Sequence, residues 1–175
     1  NSGGTATTCD VADPSGTDGH LIGRVTDEDG VPLGGVAVTV NGCSTCDATT
    51  TGAGLFIAPM PAYGHYLLKF VKTGYIDSFR LADLADVAGA VEPAYMKPVG
   101  GTVTVDATAC ATGCTVANAQ QDPPFTVTFP ANEITTSFNL AITDYAHGRE
   151  LPGPLPSTSH FTYAVDLRDT NQSSG

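Results

Sequence analysis

"GRVTDEDGVPLGGVAVTV", Gly23 to Val40, sets the reading of the whole chain. An extended run starting at His20-Leu21-Ile22 ends at Val25-Thr26. Asp27-Glu28-Asp29-Gly30 is a turn signal, because Gly accepts the positive φ that a tight reversal needs. Val36-Ala37-Val38-Thr39-Val40 then alternates with period two, which puts Val36, Val38 and Val40 on one face. Strand, turn and strand within eighteen positions is the rhythm of an antiparallel β-sheet.

The rhythm continues outward. Gly54-Leu55-Phe56-Ile57 reads as a short strand, and Met60-Pro61-Ala62-Tyr63-Gly64 as a turn. In His65–Val71, Tyr66, Leu68 and Phe70 share a face. Gly74 interrupts, and Tyr75–Phe79 resumes. Such spacing argues a β-sandwich and not βαβ units. Leu81, Leu84, Val87 and Val91 stand at helical spacing, so 81–91 is expected to be a short helix or an irregular crossover, with Gly89 against the helix. Lys97-Pro98-Val99-Gly100-Gly101 is a boundary signal. Beyond it Thr102–Asp106 alternates. So do Phe125/Val127/Phe129, Phe138/Leu140/Ile142 and Phe161/Tyr163/Val165/Leu167. Leu151 to Pro156 is a Pro-rich, rigid loop.

The expected architecture is therefore all-β, two antiparallel β-sandwiches in tandem. Residues 1–19 form a flexible N-terminal extension, 20–98 the first sandwich, 99–170 the second and 171–175 a tail. The extension is rich in Ser, Thr, Gly and Asp and has no apolar period.

Composition agrees with short strands and many turns. The 175 residues include Gly 20 and Pro 12, with no Trp, and only 14 % are charged. The net charge is −11, with 7 Lys and Arg. Such a surface repels polyanions, so neither nucleic acid nor an anionic lipid surface is an expected partner. No apolar run approaches the roughly 20 residues of a membrane-spanning helix. Sparse charge beside abundant Thr and Ser suits an extracellular protein.

Residues 21–75 carry a longer pattern. Gly23-x-Val25, Asp27, Gly30-x-Pro32-Leu33-x-Gly35-Val36-x-Val38-x-Val40 is followed by Gly54-x-Phe56 and Pro61. Gly64-x-Tyr66-x-Leu68-x-Phe70 and Gly74-Tyr75 complete it. This string resembles the carboxypeptidase regulatory-like domain, also called transthyretin-like or Cna-B-like. The resemblance implies an immunoglobulin-like β-sandwich and a non-catalytic accessory or stalk role on secreted or envelope proteins. Some Cna-B-like relatives form an internal Lys–Asn crosslink. Here Arg24 stands where the Lys would be, so no such bond is expected. In the second half, Phe125-Thr126-Val127-Thr128-Phe129-Pro130-Ala131-Asn132 is similar to a run in repetitive bacterial surface proteins, which implies a bacterial cell surface.

Chemistry finds little support. No G-x-S-x-G elbow and no phosphate-cradling Gly-rich loop occurs. His20, His65, His147 and His160 are scattered singly. The acids Asp27, Glu28, Asp29, Asp122 and Asp144 read as turn residues. Asp10, Asp13 and Asp18 could gather a Ca²⁺ ion, although solvated acidic loop residues are the preferred reading. No other cofactor is expected.

The five cysteines are more telling. Cys43-Ser44-Thr45-Cys46 has C-x-x-C spacing, but Asp47 stands where a haem anchor needs His. A zinc site would need Cys43, Cys46, Cys110 and Cys114 to meet at one metal. A redox motif would need a helix N-terminus, and this motif follows a strand and a turn, in what reads as a loop. Disulfides are the favoured use of these four, either local or crossed, such as Cys43 with Cys110. Cys9, in the extension, has no local partner and is a candidate for an intermolecular bond.

The expected function is that of a non-catalytic structural module of a secreted or cell-surface protein. It would act in assembly, as a stalk, adhesin or extracellular filament subunit, through strand addition and disulfide linkage. Its partners would be other protein subunits, a homo-oligomer included. The alternatives are a glycan- or calcium-binding accessory domain and a metal or redox protein using Cys43 and Cys46.

Overall fold

The computed structural model describes residues 19–117, 125–145, 151–153 and 164–170. Every element in them is a strand, and the class is all-β. The first eight strands are β1 (Gly19–Asp27), β2 (Ala37–Val40), β3 (Cys43–Thr49), β4 (Leu55–Met60), β5 (Gly64–Val71), β6 (Ser78–Leu84), β7 (Ala88–Ala90) and β8 (Ala94–Met96). They form two sheets. One has the order β4-β1-β7, with β8 also on β1; the other has the order β3-β2-β5-β6.

The period-two pattern explains which faces meet. Leu21 and Val25 of β1 and Phe56, Ala58 and Met60 of β4 point inward. They pack on Val38 and Val40 of β2, Leu68 and Phe70 of β5, and Ala82 and Leu84 of β6. Phe56 and Phe70 meet edge-on across this core, with centroids 5.5 Å apart. Burying such side chains is the main favourable term, each contributing about 1.5–3 kcal/mol.

The opening turn is built as its residues require. Asp27 Oδ1 accepts from the amides of Asp29 and Val31 at 3.0 and 2.8 Å, and Gly30 has φ +82°. Gly54 also has positive φ, and a Cβ there would lie 2.4 Å from Val25 O, so only Gly lets this turn approach β1.

Four expectations are corrected. The 81–91 stretch is no helix: it is the end of β6, a turn and β7. Ser78, Arg80, Ala82 and Leu84 alternate inward, but two of the four are polar, which hid the strand period. The C-x-x-C is not in a loop. Cys43–Thr49 is an edge strand paired to β2. Its Ser, Thr and Asp content concealed it, because an edge strand needs little apolar surface. Asp144, read as a turn residue, sits within the strand Phe138–Tyr145, opposite Val165. The first sheet is also not purely antiparallel. β7 and β8 both run parallel to β1, one along His20–Ile22 and one along Val25–Asp27.

The later strands are β9 (Thr102–Val105), β10 (Cys114–Ala117), β11 (Thr126–Phe129), β12 (Phe138–Tyr145) and β13 (Ala164–Asp169). They pair as β13-β12-β9 and β10-β11. Val105, Cys110, Leu140 and Ile142 centre a second core, on which Phe125, Val127, Phe129 and Phe138 pack. Of the expected fourth stripe, Val165 joins that core, Leu167 is exposed, and Phe161 and Tyr163 lie outside the described residues.

The two halves are joined by more than the chain. Val99 N donates across the boundary to Gly74 O at 2.9 Å, beside the bond from Ile76 N to Lys97 O at 2.8 Å within the first half. Ile76, Tyr145 and Leu151 form a small buried cluster with Val99 against it. Pro152 O accepts from Phe79 N and from Ser78 Oγ.

Candidate functional site

Asn41-Gly42 reverses the chain between β2 and β3, with Gly42 at φ +80°. Immediately after it, Cys43 and Cys46 form a disulfide with Cα atoms 5.4 Å apart. An extended strand would separate such residues by roughly 10 Å. The bridge therefore curls the start of β3, and the β2–β3 register shifts between Val38 and Val40. Cys46 is buried in the first core, and Cys43 is half-buried beside it.

The curled strand forms one wall of a groove of about 630 Å³ on the outer face of the second sheet. Thr39, Leu67 and Lys69 form its floor, and Phe79 stands among the lining residues. Lys69 is held by Asp77 at 3.0 Å. The groove offers a mixed floor, apolar at Leu67 and polar at Thr39 and Lys69, with the Asp47 carboxylate and a few hydroxyl and amide groups around it.

Cys110 and Cys114 form the second disulfide, with Cα atoms 4.8 Å apart. It closes the turn before β10, where Gly113 has φ +92°. Cys110 is buried in the second core. The four thiols are thus used in two local bridges and do not converge on one metal position. Cys9, Asp10, Asp13 and Asp18 lie outside the described residues. Among the described residues, no three His, Cys, Asp or Glu side chains gather as a metal site. No helix of the described residues is long and apolar enough to cross a membrane.

The two histidines among the described residues do not assemble either. His65 contacts Asp83, its cross-strand neighbour, on an exposed face. His20 lies on the opposite sheet, and His147 and His160 fall outside the described residues. Two arginines among the described residues are perturbed, both for structural reasons. Burial pushes Arg80 below its ordinary guanidinium value, although Glu92 and Tyr95 pull it back up. Its side chain donates to Pro93 O, Ser78 Oγ and Phe79 O. The Asp166 carboxylate, hydrogen-bonded to it, holds Arg168 above the usual value.

Features not singled out from the sequence are the uncovered apolar side chains. Ile22, Leu55, Ile57 and Leu81 are all exposed. Their signal was parity: each stands one position from core residues, on the other face of its strand.

No family model matches the chain, and no curated protein matches it in sequence. Two solved structures are similar in outline. One is the Bacillus anthracis TIE protein, at 12 % identity and a TM-score of 0.41, covering 87 % of this chain and 31 % of that one. The other is a streptococcal ancillary pilin, at 13 % identity and a TM-score of 0.38, covering 90 % of this chain and 60 % of that one. The chain spans about a third of the first protein's length and three fifths of the second's.

Proposed function

We propose that this chain is a non-catalytic structural module of a secreted or cell-surface protein, acting in assembly as a stalk or filament subunit. The observation that carries this reading is the junction. The backbone hydrogen bond from Val99 to Gly74, the carbonyl of Pro152 and the Ile76–Tyr145–Leu151 cluster couple two cores. Such coupling suits a part that transmits load and position. The local disulfides support it, because each braces a strand end against fraying and proteolysis in an oxidising compartment. Two free edges are also blunted, β3 by its curl and β4 by Pro59, which has no amide to donate.

Electron microscopy of the native material with antibody against this chain tests the reading. Labelled surface fibres or stalks are the expected result. Label confined to a soluble enzyme would overturn it. The groove beside Cys43–Cys46 favours a second reading, glycan binding, since Phe79 and Leu67 can take a sugar face while Asn41, Ser44 and Thr39 offer hydrogen bonds. A glycan array separates the two: specific retention supports the second, and silence leaves the first.

A further inference from the structure

One outer face of the first half holds an apolar cleft, and the other carries an exposed leucine. On the β1–β4 side, Ile22 and Ile57 stand directly opposite each other, and Leu55 is paired with Arg24. Ile22 and Ile57, with His20, Val87 and Ala88, line a shallow apolar cleft of about 240 Å³. That exceeds the roughly 150 Å³ that admits a benzene in an engineered core. On the other sheet, Leu81 of β6 projects outward at 65 % exposure, opposite Leu67.

Charge follows the same spacing. Arg24 lies two residues beyond Ile22 on β1, and Asp83 two residues beyond Leu81 on β6. Each step is about 6.8 Å along one strand face. The outward residues of β1 and β4 are His20, Ile22, Arg24, Leu55, Ile57 and Pro59, and none is a carboxylate. Arg24 has no ion-pair partner among the described residues. Asp86, near the cleft, is turned onto Val87 N. Asp83 carries only the exposed His65 beside it. In a chain of net charge −11, most pairs of surfaces repel. The β1–β4 ribbon, whose outward residues include an arginine and no carboxylate, is therefore where an acid-bearing face of another copy fits, while exposed Glu92, just past β7, acts on Arg80.

We propose that the partner of the Ile22–Ile57 cleft is a second copy of this chain, which inserts Leu81 and sets Asp83 against Arg24. The cleft and the leucine lie on opposite outer faces of one sandwich. The contact is then heterologous, leaves one cleft and one leucine free at the ends, and propagates as an open chain. This deepens the structural reading, on which it rests, by naming the partner.

Sedimentation velocity on the full 175-residue chain, from micromolar to millimolar, is the test. The wild type is expected to form a concentration-dependent series of oligomers. Leu81→Asp and Ile57→Asp each lower the association constant at least about tenfold, which is 1.4 kcal/mol. Mixed in equal amounts, they form a dimer and stop, because each retains one intact surface. Asp83→Arg weakens association, and adding Arg24→Asp to the same chain restores it. A wild type that stays monomeric or stops at a closed dimer overturns the proposal. So does a Leu81→Asp chain that associates like wild type, or a mixture that stays monomeric. Those failures leave the stalk reading standing, because fibre labelling in native material tests it separately.

Discussion

Thr50 and Arg80 are polar side chains that the first core cannot do without. Thr50 is buried; its Oγ1 accepts from Val36 N at 2.9 Å and donates to Leu33 O at 2.6 Å. Val has the same shape but satisfies neither group. Thr50→Val is expected to cost about 2–4 kcal/mol, since each orphaned buried group costs about 1–3. A lowered urea midpoint with an unchanged slope is the readout; an unchanged midpoint contradicts it. Arg80 is buried without a carboxylate in direct contact, and its guanidinium ties β6 to the Pro93 carbonyl ahead of β8. Arg80→Ala is expected to cost about 3 kcal/mol, because three acceptors lose their donor and a large volume is vacated. Neither role was legible in the sequence. What they do depends on partners 13 to 17 positions away.

At the scale of elements, the strands that were legible are those whose inward residues are uniformly apolar. Val36/Val38/Val40, Leu68/Phe70 and Leu140/Ile142 all lie where their alternation put them. β3 and β6 were missed for opposite reasons. β3 is an edge strand of Cys, Ser, Thr, Asp and Ala, whose place is fixed by pairing to β2 and by its disulfide. β6 is well packed, but Ser78 and Arg80 occupy two of its inward positions. The parallel placement of β7 and β8 has no local signature, because it depends on where the chain returns after β6. The disulfide on β3 gives a prediction at this scale. A loop this short adds about 2 kcal/mol through chain entropy, less than the roughly 3 of a 15-residue loop. Cys43→Ala/Cys46→Ala is expected to cost about 2 kcal/mol, with Ala keeping a hydroxyl out of the buried Cys46 site. Hydrogen exchange should quicken over Cys43–Thr49 while β1 and β5 keep their protection. Uniform loss across both sheets would show that the bridge supports the whole sandwich and not one edge.

For the whole molecule, the decisive contact is where the chain passes from one core to the other. Lys97–Gly101 looked like a linker, and by composition it is one. Here it is bound on both sides. Toward the first half, Val99 N donates to Gly74 O. Toward the second, Gly100 N donates to Thr143 Oγ1 at 2.7 Å, and Gly101 O accepts from Ile142 N at 3.2 Å. Gly100 is needed for proximity. A Cβ there would lie 1.9 Å from Ile142 O and 2.7 Å from Ile142 C, both backbone atoms that no rotamer change can move aside. Gly100→Ala must therefore lift this segment from β12. The first core contains no residue of that contact, so the first half is expected to stay folded while the junction comes apart. Elastase should cut after Val99 at least about tenfold faster, and the amides of Ile76 and Val99 should exchange faster, while those of Leu68 and Phe70 keep wild-type rates. Gly52→Ala is the control, because its Cβ would meet nothing within 4 Å. Equal cleavage of the two variants would mean that the halves are joined by the chain alone, and a load-transmitting junction would then have no basis.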